Sequence, residues 1–433
     1  MTGVKNILIN GEEPGAIVFD GKLIHAVYKP GDTLPPDVDW IDGHGCEAYP
    51  AGVDMHVHDR WGEPKREDPQ HLEAACIAGG TATIVTMPNT IPPFDQANQT
   101  RTRLAGFNSI NVLAWIAATR TNYTEREMAY HYFSRQIPGA KLMMASTNNP
   151  ETLVDDGLSQ RRILEENADL DCITTIHAEA EDLIKRNVQE YKQLYGRLLR
   201  QHHCKIRESQ VEVEGIRRIL NIHHDVGAGR IHIAHVSTAD GIKLILRAKS
   251  RGQNVTFETC PHYWTFNNFW VEAGNGGFYK MNPALRSPEE QLIVLQHLCN
   301  GDVDVSATDH APHPREAKTN PGLDECSSGV PGVETNIPLL YDLKTRRMIS
   351  TKRFIDLTSR NAAKILGLNK GSLAAGFDAD MILIDPFAKF KIDDSGVKSK
   401  CGWTPYAGMT VNKIVFVVIS GQVVAQNFVE QQT

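Results

Sequence analysis

Eight apolar runs along the middle of the chain, most of them ending in a reactive polar residue, constrain the fold more than any other feature. They are Gly52–Val57, Thr81–Met87, Asn111–Ala117, Ala140–Met144, Cys172–Ile176, Arg230–Ala234, Asn254–Phe257 and Val303–Ala307. Charged, helix-favouring segments lie between most of them, with Glu179–Arg200, Ser209–His223 and Ala239–Arg251 the clearest. Strand–helix alternation repeated in this way predicts an α/β chain with a parallel (β/α)8 barrel. Runs that are apolar almost throughout fit strands buried on both faces. The polar ends are His56 and His58, Asn89, Arg120, His177, His235, His262 and Asp309. In such barrels the chemistry gathers at the C-terminal ends of the strands, so pattern and inventory agree.

The two ends of the chain read differently. Ile7–Ile9, Ala16–Phe19 and Leu23–Tyr28 are short strands separated by Asn10-Gly11 and Asp20-Gly21, both hairpin signals. Asp380–Asp385 and Lys413–Ile419 repeat that style, with a turn at Ser420-Gly421. Both termini are therefore expected to assemble one small β domain from residues 1–50 and 371–433, flanking a barrel over 51–370. The Pro- and Gly-rich segment Thr319–Gly332 reads as a long loop over the barrel mouth, where lids and substrate contacts arise.

Composition excludes several classes. With 433 residues, 22% charged and a formal net charge of −7, the chain carries no basic field for nucleic acid. No apolar stretch is long enough to span a bilayer, and the N-terminus lacks a signal-like apolar core. The 8 cysteines are scattered without a Cys-x-x-Cys, which fits buried thiols in a reducing cytoplasm. The expected partner is a small-molecule substrate.

Imidazole and carboxylate are what Zn²⁺ and similar divalent ions bind. His56 and His58 alternate with Val57, so on a strand both face one side and reach one ion. Asp54 shares that face and can orient a ligand from behind. His177 and His235 would hold a second ion. Asp309 would bind the first and act as general base, returning its proton to a leaving nitrogen. Paired metals polarise a carbonyl and supply hydroxide near neutral pH. Lys141 has two readings: an end-of-strand lysine that snorkels to water, or a neutral amine that takes up CO₂ and bridges the metals as a carbamate. Asp155 and Asp156 are the alternative bridging carboxylates. Arg60 and Asn89 read as an anion clamp, with His313 as a third donor. The competing reading for Arg60 is a surface ion pair with Asp59 or Glu63.

Several motifs carry a resemblance: Ala51-Gly-Val-Asp-Met-His-Val-His-Asp-Arg60, Met87-Pro-Asn-Thr-Ile-Pro-Pro93, Lys280-Met-Asn-Pro-Ala-Leu-Arg286, Ala307-Thr-Asp-His-Ala-Pro-His313 and Gly329-Val-Pro-Gly-Val-Glu334. With Asn361-Ala-Ala-Lys-Ile-Leu-Gly367 and Gly371-Ser-Leu-Ala-Ala-Gly-Phe-Asp-Ala-Asp380, they cover nearly the whole chain. The sequence resembles the amidohydrolase superfamily and, within it, the dihydroorotases. The resemblance implies a distorted barrel with a β-sandwich built from both termini. It also implies two Zn²⁺ per chain held by His56, His58, His177, His235 and Asp309 and bridged by carboxylated Lys141. Arg60, Asn89 and His313 would meet a substrate carboxylate, and Asn282 the pyrimidine ring. The implied reaction is reversible cyclisation of N-carbamoyl-L-aspartate to L-dihydroorotate by a homo-oligomer, dimer or tetramer. Hydantoinases, dihydropyrimidinases and allantoinases are the alternative, because they share the metal centre and take neutral rings. A non-catalytic homologue would be signalled by lost ligands, and all six candidate positions are filled. One departure stands out: the family usually reads Arg-Glu-Pro-Gly after the His-x-His strand, whereas this chain has Arg60-Trp-Gly-Glu-Pro64, preceded by Asp59 where an apolar residue is common.

Overall fold

A computed structural model describes residues 1–147 and 150–428. Both chain ends contribute to one eight-stranded mixed sheet. Its first strands are β1 (Thr2–Ile9), β2 (Glu13–Asp20), β3 (Leu23–Tyr28), β4 (Asp39–Asp42) and β5 (Glu47–Pro50). The expected hairpins form: β1 pairs antiparallel with β2, and β2 with β3. At Asn10 the backbone takes a positive φ of 51°, which asparagine tolerates better than most residues.

The middle of the chain supplies parallel strands in chain order. They are β6 (Gly52–Val57), β7 (Thr81–Thr86), β8 (Asn111–Ala114), β9 (Ile116–Ala117), β10 (Gly139–Met143), β11 (Ile173–His177), β12 (Arg230–Ile233), β13 (Val255–Thr259) and β14 (Val305–Ser306). β6, β7 and β8 form one parallel sheet, and β9 to β14 another. The first and last strands meet: Val57 bridges His310 in parallel, and the His58 amide donates to the His310 carbonyl at 2.7 Å. Strand order, direction and this closing contact are consistent with a (β/α)8 barrel.

Asn111–Ala117 reads as one strand, but the structure splits it at Trp115. That indole is fully buried among Val53, Met55, Val85 and Val305, and its Nε1 donates to the Met55 carbonyl at 2.9 Å. A side chain this large repays its burial only inside, and it needs a partner for its N–H. The backbone turns to supply both.

Helices lie between the strands: Glu181–Tyr195, Ser209–Val226 and Ala239–Ser250 fall in the charged, helix-favouring segments of the sequence. Val211, Ile216, Ile219 and Leu220 bury one face of the second, each worth roughly 1.5–3 kcal/mol relative to exposure. It ends at Gly227, whose positive φ of 72° caps it.

The chain then returns to the terminal sheet through β15 (Met381–Lys391), β16 (Thr410–Ile419) and β17 (Gln422–Gln426). β15 pairs with β5, which joins the two ends of the chain in one sheet. Its own core includes Val4, Ile17, Phe19, Leu383 and Phe416. All 8 cysteines are unpaired. Among the described residues no helix is long and apolar enough to cross a membrane.

Candidate active site

The strand ends converge on one pocket. His56, His58, Arg60, Asn89, Lys141, His177, His235, Asn282 and Asp309 all line it, with Met143, Thr147, Ala311, Ser328 and Gly329 completing the wall. A roomier cavity of about 500 Å³ lies between residues 331–338 and β15. No imidazole lines that cavity, so the chemistry belongs to the tighter pocket.

His56, His58 and Asp309 form a compact donor group, with ligand atoms all within 4.8 Å of one another. Asp309 Oδ1 lies 3.3 Å from His56 Nε2 and 3.0 Å from His58 Nε2. The rings are held from behind. Glu258 Oε1 accepts from His56 Nδ1 at 2.5 Å, which leaves the Nε2 lone pair facing inward. The other oxygen of Glu258 meets His232 Nε2 at 3.1 Å, and Oε1 also accepts from the His235 amide. Burial opposes ionisation of Glu258, but His56 and His232 hold its carboxyl well below the usual range. Asp54 accepts from the backbone amides of His56 and Thr308 and from the Thr308 hydroxyl, which fastens β6 to the segment carrying Asp309.

His177 and His235 form a second pair, Nδ1 to Nε2 at 2.9 Å. Glu179 accepts from His177 Nε2 at 2.8 Å and pairs with Arg207. Burial pushes His56 down to about 4, with the Lys141 charge adding to the effect. Burial, with nearby cations, also holds His58 and His235 well below the ordinary histidine value. Neutral imidazoles with inward lone pairs are what a divalent ion requires.

Lys141 is 2% exposed, and its Nζ has no hydrogen-bond partner among the described residues. Burial pushes it down to about 8, against the pull of Glu258 and Asp309. The snorkelling reading therefore fails. A buried amine left unpaired amid imidazoles and a carboxylate is a group awaiting something it can hold. The His235 Nδ1 atom is likewise unpartnered. This donor set fits a metal centre. Asp155 and Asp156 do not reach the pocket: both pair with Arg120, and Asp156 caps the helix Gly157–Asp169. His262 is buried with both ring nitrogens unpartnered, but it does not line the pocket.

The other end of the pocket belongs to Arg60. It is 3% exposed, donates from Nε to the Pro312 carbonyl at 3.2 Å, and places a terminal nitrogen 2.9 Å from His313 Nε2. The surface-pair reading fails too, because Asp59 pairs with Arg103 and Glu63 with Arg66. Among the described residues no carboxylate oxygen lies within 4.0 Å of the Arg60 guanidinium. Burial pushes it down to about 10. Asn89 lines the same pocket, its amide 3.5 Å from the Thr147 hydroxyl. His313 sits behind Arg60, with Nε2 also 2.9 Å from the Ser328 carbonyl. Asn282 Oδ1 is buried and has no partner among the described residues.

The segment Cys326–Gly329 is a pinned wall. Lys318, fully buried, donates to the carbonyls of Lys280, Ser327 and Gly329 at 2.7–2.9 Å. Lys280 donates to the Cys326 carbonyl and the Ser328 hydroxyl. Gly329 has a φ of +132°, and a Cβ there would lie 2.6 Å from the Ala311 carbonyl, so only glycine closes the wall this tightly. Arg60, His235 and Asp309 also have positive φ, at 54°, 40° and 45°. Strained backbone of this kind gathers where a side chain must be aimed.

Sequence reasoning missed Glu258, Glu179, Arg207, Arg103, Lys318 and Thr147. Glu258 had a signal: a carboxylate inside the apolar run Val255–Thr259 is costly unless paired. Glu179 sits two residues past His177. The others have none, because their partners are distant in sequence.

Residues 48–424 match the amidohydrolase family. The chain is 31% identical to a dihydroorotase of Desulforapulum autotrophicum, over 96% of this chain and 95% of that protein. It is also 31% identical to one from Methanosarcina acetivorans, over 97% and 91%. Among solved structures, an L-hydantoinase (dihydropyrimidinase) from Arthrobacter aurescens superposes with a TM-score of 0.89 at 25% identity, covering 98% of this chain and 96% of its own.

Proposed function

The chain belongs to the amidohydrolase family, and from that premise we propose that it is a dihydroorotase, a metal-dependent cyclic amidohydrolase interconverting L-dihydroorotate and N-carbamoyl-L-aspartate. One observation carries the choice of substrate. A buried arginine with no carboxylate partner among the described residues lines the same pocket as the imidazole cluster and the Asn89 amide. A buried guanidinium needs an anion, and a planar carboxylate meets its fork with two hydrogen bonds. The ring of dihydroorotate carries such a group, and the neutral rings of hydantoin, dihydrouracil and allantoin do not. The solved hydantoinase speaks to the shared scaffold; the ~30% identical dihydroorotases speak to the substrate.

His56, His58 and Asp309 would hold one Zn²⁺, His177 and His235 a second, and carboxylated Lys141 would bridge them. Bound there, the metals supply Lewis-acid polarisation of the scissile carbonyl and hydroxide near neutral pH. The chain's own groups do the rest. Arg60 and Asn89, with His313 behind, hold the carboxylate and so fix the ring. Asn282 presents its unpartnered amide oxygen to the ring's N–H. Asp309 takes up the proton of the attacking water and returns it to the leaving ring nitrogen; in cyclisation the order reverses.

The same reading divides the chain into a barrel over 51–370 and a β-sandwich from 1–50 and 371–433. It also takes the assembly to be a homo-oligomer, dimer or tetramer, acting in the cytoplasm, where 8 unpaired cysteines are at home. The test is turnover by zinc-replete protein. Ring opening of L-dihydroorotate and closure of N-carbamoyl-L-aspartate support the reading; inactivity on both removes it. Intact mass and metal analysis test the bridge: one ion per chain with Lys141 unmodified removes the carbamate.

A further inference from the structure

The geometry points to the buried Asp59–Arg103 pair as a positioning device that aligns Arg60 and Asn89 with each other. The inference rests on the reading of those two residues as contacts to the substrate carboxylate.

Arg60 and Asn89 come from different loops, residues 58–62 after β6 and 87–94 after β7. Both must meet one small anion, so the distance between the loops has to be fixed. Arg103, from the short helix Thr100–Leu104, lies between them with its side chain fully buried. One terminal nitrogen donates to Asp59 Oδ1 at 2.8 Å and to the Met87 carbonyl at 2.7 Å. Its Nε donates to the Thr86 hydroxyl at 3.1 Å, and its other terminal nitrogen reaches the Thr90 hydroxyl at 3.5 Å. The guanidinium also lies over the rings of Phe94 and Trp61, at 5.0 and 5.7 Å. One planar group thus touches the residues on both sides of Arg60 and brackets Asn89 between Met87 and Thr90.

Three further observations point the same way. Arg60 holds a positive φ of 54°, a conformation that persists only where its neighbours enforce it. Asp59 Oδ1, besides binding Arg103, accepts from the Trp61 amide at 3.4 Å, so it fixes the backbone on either side of Arg60. Gly62, with φ of +81°, brings the first loop so close to the second that a Cβ would lie 2.7 Å from the Ile91 carbonyl. Arg103 itself does not line the pocket. It acts through Arg60 and Asn89, and its five fixed donors are a task that lysine cannot reproduce.

The test is Arg103→Lys, which keeps the charge and loses the fork, with Asp59→Asn as a milder second variant that keeps size and an acceptor. For each, zinc content and melting temperature are measured first. Then KM and kcat for L-dihydroorotate are set beside the competitive inhibition constant of dihydrouracil, the same ring without its carboxylate. The expected result is a KM for dihydroorotate raised about tenfold in Arg103→Lys and less in Asp59→Asn. Metal content, kcat and dihydrouracil binding should stay within about twofold. A merely structural role would weaken both rings alike or lose metal, and either result overturns the inference, as does an unchanged KM in a folded variant. If Arg103→Lys does not fold, Asp59→Asn decides by the same split. Wild-type protein inactive on dihydroorotate would remove the proposed function and this inference together. Active wild type with variants that weaken both rings equally would remove only the inference.

Discussion

The two ends of the pocket are supported by opposite chemistry. Behind the imidazoles stand carboxylates: Glu258 behind His56, Glu179 behind His177 and Asp54 beneath the His56 backbone. Arg60, at the other end, is steadied by a backbone carbonyl and an imidazole, with no carboxylate at its head among the described residues. Each end thus withholds the charge it would attract. The imidazole end is rich in lone pairs and negative support and is completed by cations; the guanidinium end is completed by an anion. A substrate with a polarisable ring carbonyl at one side and a carboxylate at the other answers both. A neutral ring answers only the first, which is how a scaffold shared with a hydantoinase can be turned to a different substrate.

Breaking the imidazole end should have the largest effect. Asp309→Asn keeps the size of the side chain and removes the base; kcat is expected to fall by about 10²–10⁴-fold. Steady-state rates at saturating dihydroorotate check this, and a fall below tenfold would take the proton transfer away from Asp309. Next comes the support behind that end. Glu258→Gln leaves every candidate ligand in place but loosens His56, and zinc affinity by chelator competition should weaken by about 10–100-fold. Unchanged affinity would make Glu258 a packing residue of β13.

The smallest effect concerns the wall beside Arg60. Burial pushes Lys280 from 10.5 down to about 8. Above about 8 the folded protein has released this proton, whereas the unfolded chain keeps it to about 10.4. The unfolded state then binds more protons, so stability rises with pH through that window. The cost of the buried charge is fully present below about 8. Wild type is therefore expected to gain on Lys280→Met in urea midpoint as pH climbs from 8 toward 10. A gap that narrows over that range would mean Lys280 stays charged in the fold.

Much of this was legible in the chain. The apolar runs gave the parallel strands, and the polar residues at their ends gave six of the pocket's lining residues, His56, His58, Asn89, His177, His235 and Asp309, because strand period and burial are local properties. The hairpins at Asn10-Gly11 and Asp20-Gly21 followed from turn chemistry. What was hidden depends on distance in sequence. The break at Trp115 follows from what fills the centre between Met55 and Val305. Glu258 serves His56 from 202 residues away, and Arg103 serves Asp59 from 44. No local pattern announces such partners. The competing surface-pair reading of Arg60 with Asp59 failed for the same reason: Arg103 had already claimed the neighbouring carboxylate.

The central claim is that Arg60 selects the substrate, and the most direct test is the ratio of kcat/KM for L-dihydroorotate to that for dihydrouracil, in wild type and in Arg60→Met. The expected result is a wild-type ratio far above one that collapses in the variant, with dihydroorotate turnover nearly lost and zinc content retained. A wild type that opens dihydrouracil as readily as dihydroorotate, or a ratio untouched by Arg60→Met, would contradict the claim and place the protein with the enzymes of neutral rings.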